Sequence, residues 1–158
     1  MRRPQSRKYL PGIDAPCVVA SRRPASTYRR MITLKEALKV GVDIIEIARV
    51  RRALERPSFR DRCFTEAERA YCDTRADPAQ SYAARFAGKE AVGKALGCGV
   101  RFTWKEIEIV GRPKPGVHLS GRTAAFAERV QAGPIDLSMT HSREIAAAIC
   151  VVSPRANG

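Results

Sequence analysis

A chain of 158 residues holds one ordinary domain, able to bury roughly 70% of its extended-chain surface. Its 44% hydrophobic and 28% charged residues exclude disordered, collagen-like and membrane compositions, and no apolar run approaches the roughly 20 residues a bilayer requires. Without a continuous apolar N-terminal stretch to act as a secretory signal the chain is expected to be soluble and cytoplasmic, and its net charge of +13 suggests an anionic partner.

Residues 1–30 carry Arg2, Arg3, Arg7, Lys8, Arg22, Arg23, Arg29 and Arg30 against Asp14 alone, so much of the positive charge is at one end. Pro4, Pro11, Pro16 and Pro24 remove backbone donors there, and no apolar period is sustained. The expectation is a disordered basic leader, or a start placed too early with Met31 as the true first residue, ahead of one domain at 31–158. Lys39 to Ile45 reads as a short strand. Glu46 to Arg56 spaces Ile47, Val50 and Leu54 on one helical stripe and stops at Pro57. Thr65 followed by Glu68 is the capping-box signature of a helix running to about Asp73. Asp77 and Pro78 supply a cap and a first-turn proline for a helix that includes Tyr82 to Leu96, with Gly97 as its left-handed stop. Trp104 to Val110 alternates as a half-buried strand with a partner at Val117 to Leu119, and Gly121 to Gln131 returns to helix. Ile135 to Thr140 and Glu144 to Val152 form a further antiparallel pair. This order predicts an α+β fold, an antiparallel sheet packed against a long central helix and shorter helices.

The segment Arg85–Gly97 is apolar or glycine all round apart from Arg85, Lys89, Glu90 and Lys94, so its helix belongs inside the domain and its charges need partners. Glu90 and Lys94, at i and i+4, share a wall of small residues, and an ordinary helical ion pair explains them as well as a site does. Asp43 is a lone acid in an apolar strand. It can cap the following helix, or it can pair with Glu90 around Mg²⁺, which takes oxygen ligands. His118 and His141 have no ligand-spaced partner, which disfavours zinc, and a lone His141 at a strand end reads first as a structural donor. Arg49, Arg52 and Arg56 make a basic face opposite the apolar stripe, suited either to solvent or to an acidic protein surface. The five cysteines, Cys17, Cys63, Cys72, Cys98 and Cys150, have no C-x-x-C spacing and read as reduced packing thiols.

Four ordered fragments, Gly41-x-Asp43 with Arg49, Phe64-Thr65-x-x-Glu68, Arg85-Phe86-Ala87-x-Lys89-Glu90-Ala91-x-x-Lys94-Ala95-Leu96-Gly97 and Ser138-x-Thr140-His141, resemble the signatures of the holo-[acyl-carrier-protein] synthases, small 4′-phosphopantetheinyl transferases. The resemblance covers about residues 36 to 152. Thr140 stands where the family often has serine, and Lys105 follows Trp104 where the family commonly has an acid. The resemblance implies Mg-dependent transfer of 4′-phosphopantetheine from coenzyme A to a serine of apo acyl carrier protein, with release of adenosine 3′,5′-bisphosphate, in support of fatty-acid biosynthesis. It implies Asp43 and Glu90 as metal ligands, and Arg85, Lys94 and His141 as contacts to coenzyme A. Glu90, Lys94 and His141 become the catalytic set, with Glu90 or a water it orients as the candidate for taking the serine proton. It further implies a homotrimer with sites between protomers, and the face of Arg49, Arg52 and Arg56 as the docking surface for the acidic carrier protein. Two other readings stand beside it. A basic nucleic-acid-binding module has against it 6% aromatic residues and no recognisable motif, and an Mg²⁺-dependent phosphohydrolase would use the same two acids.

Overall fold

The computed structural model describes residues 37–98, 102–111 and 114–155; the expected leader lies outside them. Strand β1 (Lys39–Glu46) turns Gly41, Asp43 and Ile45 toward the core and Val40, Val42 and Ile44 to the surface. Helix α1 (Ile47–Leu54) buries Ile47 and Val50, and Ile47 N donates to the Glu144 carbonyl at 2.8 Å. Asp43 does not cap this helix: the capping position is Glu46, and no side chain caps it. Pro57 ends the apolar stripe and also opens α2 (Pro57–Cys63), a helix missing from the expected elements because seven residues carry too little periodicity to be read. Helix α3 (Glu66–Asp73) has the full capping box, Thr65 Oγ1 accepting from Glu68 N and Glu68 Oε2 from Thr65 N.

The long helix α4 (Pro78–Leu96) begins with Asp77 accepting from Ala79 N and ends at Gly97 in the left-handed region, φ 81°. It is buried on nearly every side, as its uninterrupted small and apolar residues require. Trp104–Glu106 form a 3-10 turn rather than the start of a strand, because Trp104 folds back onto Phe86 with ring centroids 4.4 Å apart. Strands β2 (Ile107–Val110) and β3 (Gly116–Leu119) pair as a two-stranded sheet, and α5 (Gly121–Arg129) follows. Glu106 caps α5 by accepting from Thr123 N at 3.0 Å and Thr123 Oγ1 at 2.7 Å.

Strands β4 (Ala132–His141) and β5 (Ile145–Pro154) join β1 in a second antiparallel sheet of order β1-β5-β4. The strands therefore divide between two sheets rather than forming one. Helix α4 packs across the inner face of all three strands of the larger sheet. It approaches β1 so closely at Gly41 that a Cβ there would lie 2.0 Å from the Ala91 carbonyl oxygen. The outer face is apolar along β1 and β5. Val40, Val42 and Ile44 remain 56%, 49% and 65% exposed, facing Val151, Ile149 and Ala147 on β5. None of the helices among the described residues is long and apolar enough to cross a membrane.

Candidate active site

Asp43 reaches the site because β1 alternates: a strand that buries Gly41 and Ile45 must turn the residue between them to the same face. Glu90 reaches it from α4, and the two acids line one cleft of about 340 Å³ together with Ile44, Arg49, Phe59 and Phe86. Lys94, one turn beyond Glu90, donates to Asp43 Oδ1 at 2.7 Å and to the Val42 carbonyl at 2.9 Å. The ion pair within α4 is thus replaced by one that ties α4 to β1. Burial pushes the Glu90 carboxyl above its ordinary range, and the nearby charge of Asp43 pushes it further, while Lys94 opposes both. Two carboxylates facing one half-buried cleft offer oxygen ligands to which a divalent cation is electrostatically suited. Glu106 is occupied at the N-terminus of α5 and adds nothing to this pocket.

Arg85 and His141 lie elsewhere on the same chain. Five residues of helix separate Arg85 from Glu90, a turn of about 140° about the axis. Arg85 therefore lines a second cleft, of about 610 Å³, with Tyr71, Ser81, Thr140 and His141. His141 stands on β4 opposite Ala146 of β5, and α4 lies over the sheet between this cleft and Asp43. The Arg85 guanidinium sits 3.9 Å over the Tyr71 ring, and its buried Nε has no hydrogen-bond partner among the described residues. Within one chain the expected site residues thus form two groups: Asp43, Glu90 and Lys94, and Arg85 with His141.

Arg49, Arg52 and Arg56 are all exposed; Arg49 borders the acidic cleft, while the intervening Arg51 pairs with Asp77 at 2.8 Å. Sequence reasoning missed the aromatic wall of the cleft. Phe59 stacks on Phe86 at 5.8 Å, and Phe86 on Trp104. The only signal was Phe86 on the Glu90 side of the helix. Cys63, Cys72 and Cys150 are buried free thiols, and Cys98 is a half-buried one, in line with a packing role; burial pushes the thiol of Cys72 up to about 12 and that of Cys150 up to about 11.

Residues 39–150 match the 4′-phosphopantetheinyl transferase superfamily. The chain is 47% identical over 117 residues to a holo-[acyl-carrier-protein] synthase of Chlamydia felis, covering 71% of this chain and 93% of the relative. It is 46% identical over 121 residues to that of Moorella thermoacetica, covering 73% and 93%. Among solved structures, the holo-[acyl-carrier-protein] synthase of Helicobacter pylori in complex with coenzyme A superposes with a TM-score of 0.64 at 29% identity, covering 72% of this chain and 99% of that one. That of Neisseria meningitidis superposes with a TM-score of 0.67 at 26% identity, covering 73% and 97%. The chain belongs to the 4′-phosphopantetheinyl transferase superfamily and has the mixed helix and antiparallel-sheet fold of these synthases.

Proposed function

We infer that the protein transfers 4′-phosphopantetheine from coenzyme A to a serine of apo acyl carrier protein, in the cytoplasm and for fatty-acid biosynthesis. The observation that carries this reading is the meeting of Asp43 and Glu90, from distant stretches of chain, in one cleft bordered by Lys94 and Arg49. It is supported by similarity over more than nine tenths of the length of known synthases, one of them solved with coenzyme A bound.

The serine hydroxyl oxygen attacks the phosphorus that carries the pantetheine arm, the bond from that phosphorus to the bridging oxygen breaks, and adenosine 3′,5′-bisphosphate leaves. A Mg²⁺ held by Asp43 and Glu90 would supply positive charge against the pyrophosphate oxygens. The Lys94 ammonium, already at the edge of the cleft, offers a donor to the same oxygens. Glu90, or a water it orients, takes the serine proton. Arg49, at the rim of the cleft, and the exposed Arg52 and Arg56 provide a cationic surface for the acidic carrier protein.

Arg85 and His141 bind phosphate in this scheme from a neighbouring copy, because α4 separates them from Asp43 within their own chain. The exposed apolar row Val40, Val42 and Ile44 supports such an assembly: a homotrimer would cover it and set the second cleft of one copy against the acidic cleft of the next. The test is to incubate the purified protein with coenzyme A, Mg²⁺ and apo acyl carrier protein and to weigh the carrier. Addition of one phosphopantetheine that stops on chelation supports the reading; an unmodified carrier with release of inorganic phosphate refutes it.

A further inference from the structure

Lys89 stands one residue before Glu90 and is fully buried, as is its partner Glu68. An ammonium has three donors, and three acceptors surround this one: Glu68 Oε2 at 2.6 Å, the Cys63 carbonyl at 2.9 Å and the Trp104 carbonyl at 2.9 Å. Glu68 in turn accepts from Thr65 N at 2.9 Å and Ile109 N at 3.0 Å. One side chain therefore ties the end of α2, the start of α3, the 104–106 turn and β2 to the middle of α4. A buried ion pair is often no more stabilising than an apolar pair of the same volume, so cohesion alone does not account for this one. Direction does: three contacts from the Lys89 ammonium fix the roll of α4 about its axis, two backbone N–H groups hold Glu68 in place to receive it, and one residue of roll error would turn Glu90 by about 100°.

The same bonds seat the wall of the acidic cleft. Trp104, whose carbonyl Lys89 holds, stacks on Phe86, and Phe86 stacks on Phe59 of α2, the helix that ends at the Cys63 carbonyl. We propose that Lys89 is a positioning residue for the transfer reaction: buried outside the cleft, it fixes the direction of Glu90 and the stack of Phe59, Phe86 and Trp104, and so sets the affinity of the Asp43–Glu90 pair for a divalent ion. The inference rests on the phosphopantetheinyl-transfer reading for its kinetic part, and on geometry alone for its binding part.

The test uses the paired substitution Glu68→Gln with Lys89→Met, which removes both charges at similar volume. Mn²⁺ binding is followed by electron paramagnetic resonance without substrate, and kcat and the KM for coenzyme A are measured separately. Loss of an outer partner that orients a metal ligand typically weakens metal affinity about 10- to 100-fold. The double variant is expected to fold, to bind Mn²⁺ weaker by that factor and to lose kcat while its KM for coenzyme A stays within about threefold of wild type. A folded variant with wild-type Mn²⁺ affinity, whatever its melting temperature, overturns the proposal. If the double variant does not fold, Lys89→Arg keeps the charge on a planar head that cannot meet three acceptors grouped around a point, and the same readings apply. Loss of fold in both variants also overturns the proposal, because Lys89 would then serve the fold and not the site. A wild type that fails to modify the carrier while its Mn²⁺ affinity still depends on Lys89 refutes the transfer reading alone.

Discussion

Gly41→Ala tests whether the contact between β1 and α4 positions the site. The added Cβ would lie 2.0 Å from the Ala91 carbonyl oxygen and 2.5 Å from Ala95 N, both backbone atoms in the middle of α4. Ordinary contact begins near 3.4 Å, so the strand must retreat by about 1.4 Å or the helix must yield. Overpacking of a close-packed interior costs about 1–3 kcal/mol, and a clash with backbone belongs at the top of that range. For a domain of this size about 3 kcal/mol lowers Tm by roughly 10–15 °C. The retreat would also carry Asp43, two residues along β1, away from Glu90. Gly88→Ala is the control. Its Cβ would meet Ile109 Cδ1 at 2.5 Å and Met139 Sδ at 2.9 Å, both side-chain ends that can move, and alanine regains about 1 kcal/mol of helix propensity. Urea and thermal unfolding followed by circular dichroism should therefore show a large loss for Gly41→Ala and a change within about 1 kcal/mol for Gly88→Ala. Equal stability of the two variants, or a greater loss at Gly88, would refute the reasoning.

Two further expectations concern the charges. The folded-state pKa of Glu90 lies above its unfolded value, so the folded protein binds that proton more tightly, and stability is lost as pH rises from the ordinary carboxylate value through the raised one. In chelated protein Glu90→Gln should therefore raise Tm near pH 7 and change it little near pH 4, while abolishing transfer; a lower Tm near pH 7 contradicts the electrostatic account. Reversing the charge at Arg49 and Arg52 together should raise the apparent KM for carrier protein about tenfold or more, and that for coenzyme A much less; equal effects on both would remove the docking role.

Local chemistry made most of the fold legible in the sequence. The Thr65–Glu68 box, the Asp77-Pro78 start and the Gly97 stop each satisfy or end a helix with atoms a few residues apart, and each stands where expected. What was not legible depends on distant partners. Trp104 leaves its strand pattern because Lys89 takes its carbonyl and Phe86 its ring, and Asp43 serves Lys94 rather than a helix end because α4 passes over β1. The chemistry of the site was visible as residue types, but not its division into two clefts. Periodicity placed Arg85 and Glu90 on one helix about 140° apart, and only the packing around that helix shows that each side opens into a cleft of its own.

That division makes complementation between two inactive variants the most direct test of the account. Glu90→Gln keeps a good second cleft and His141→Ala keeps a good acidic cleft, so each alone should be inactive. Unfolded together and refolded at equal amounts, copies that assemble as the proposed trimer should place an intact acidic cleft against an intact His141 at about a quarter of the junctions, and transfer to the carrier protein should return to about that fraction of wild type. Mixed assemblies no more active than the separate variants would contradict a site shared between copies.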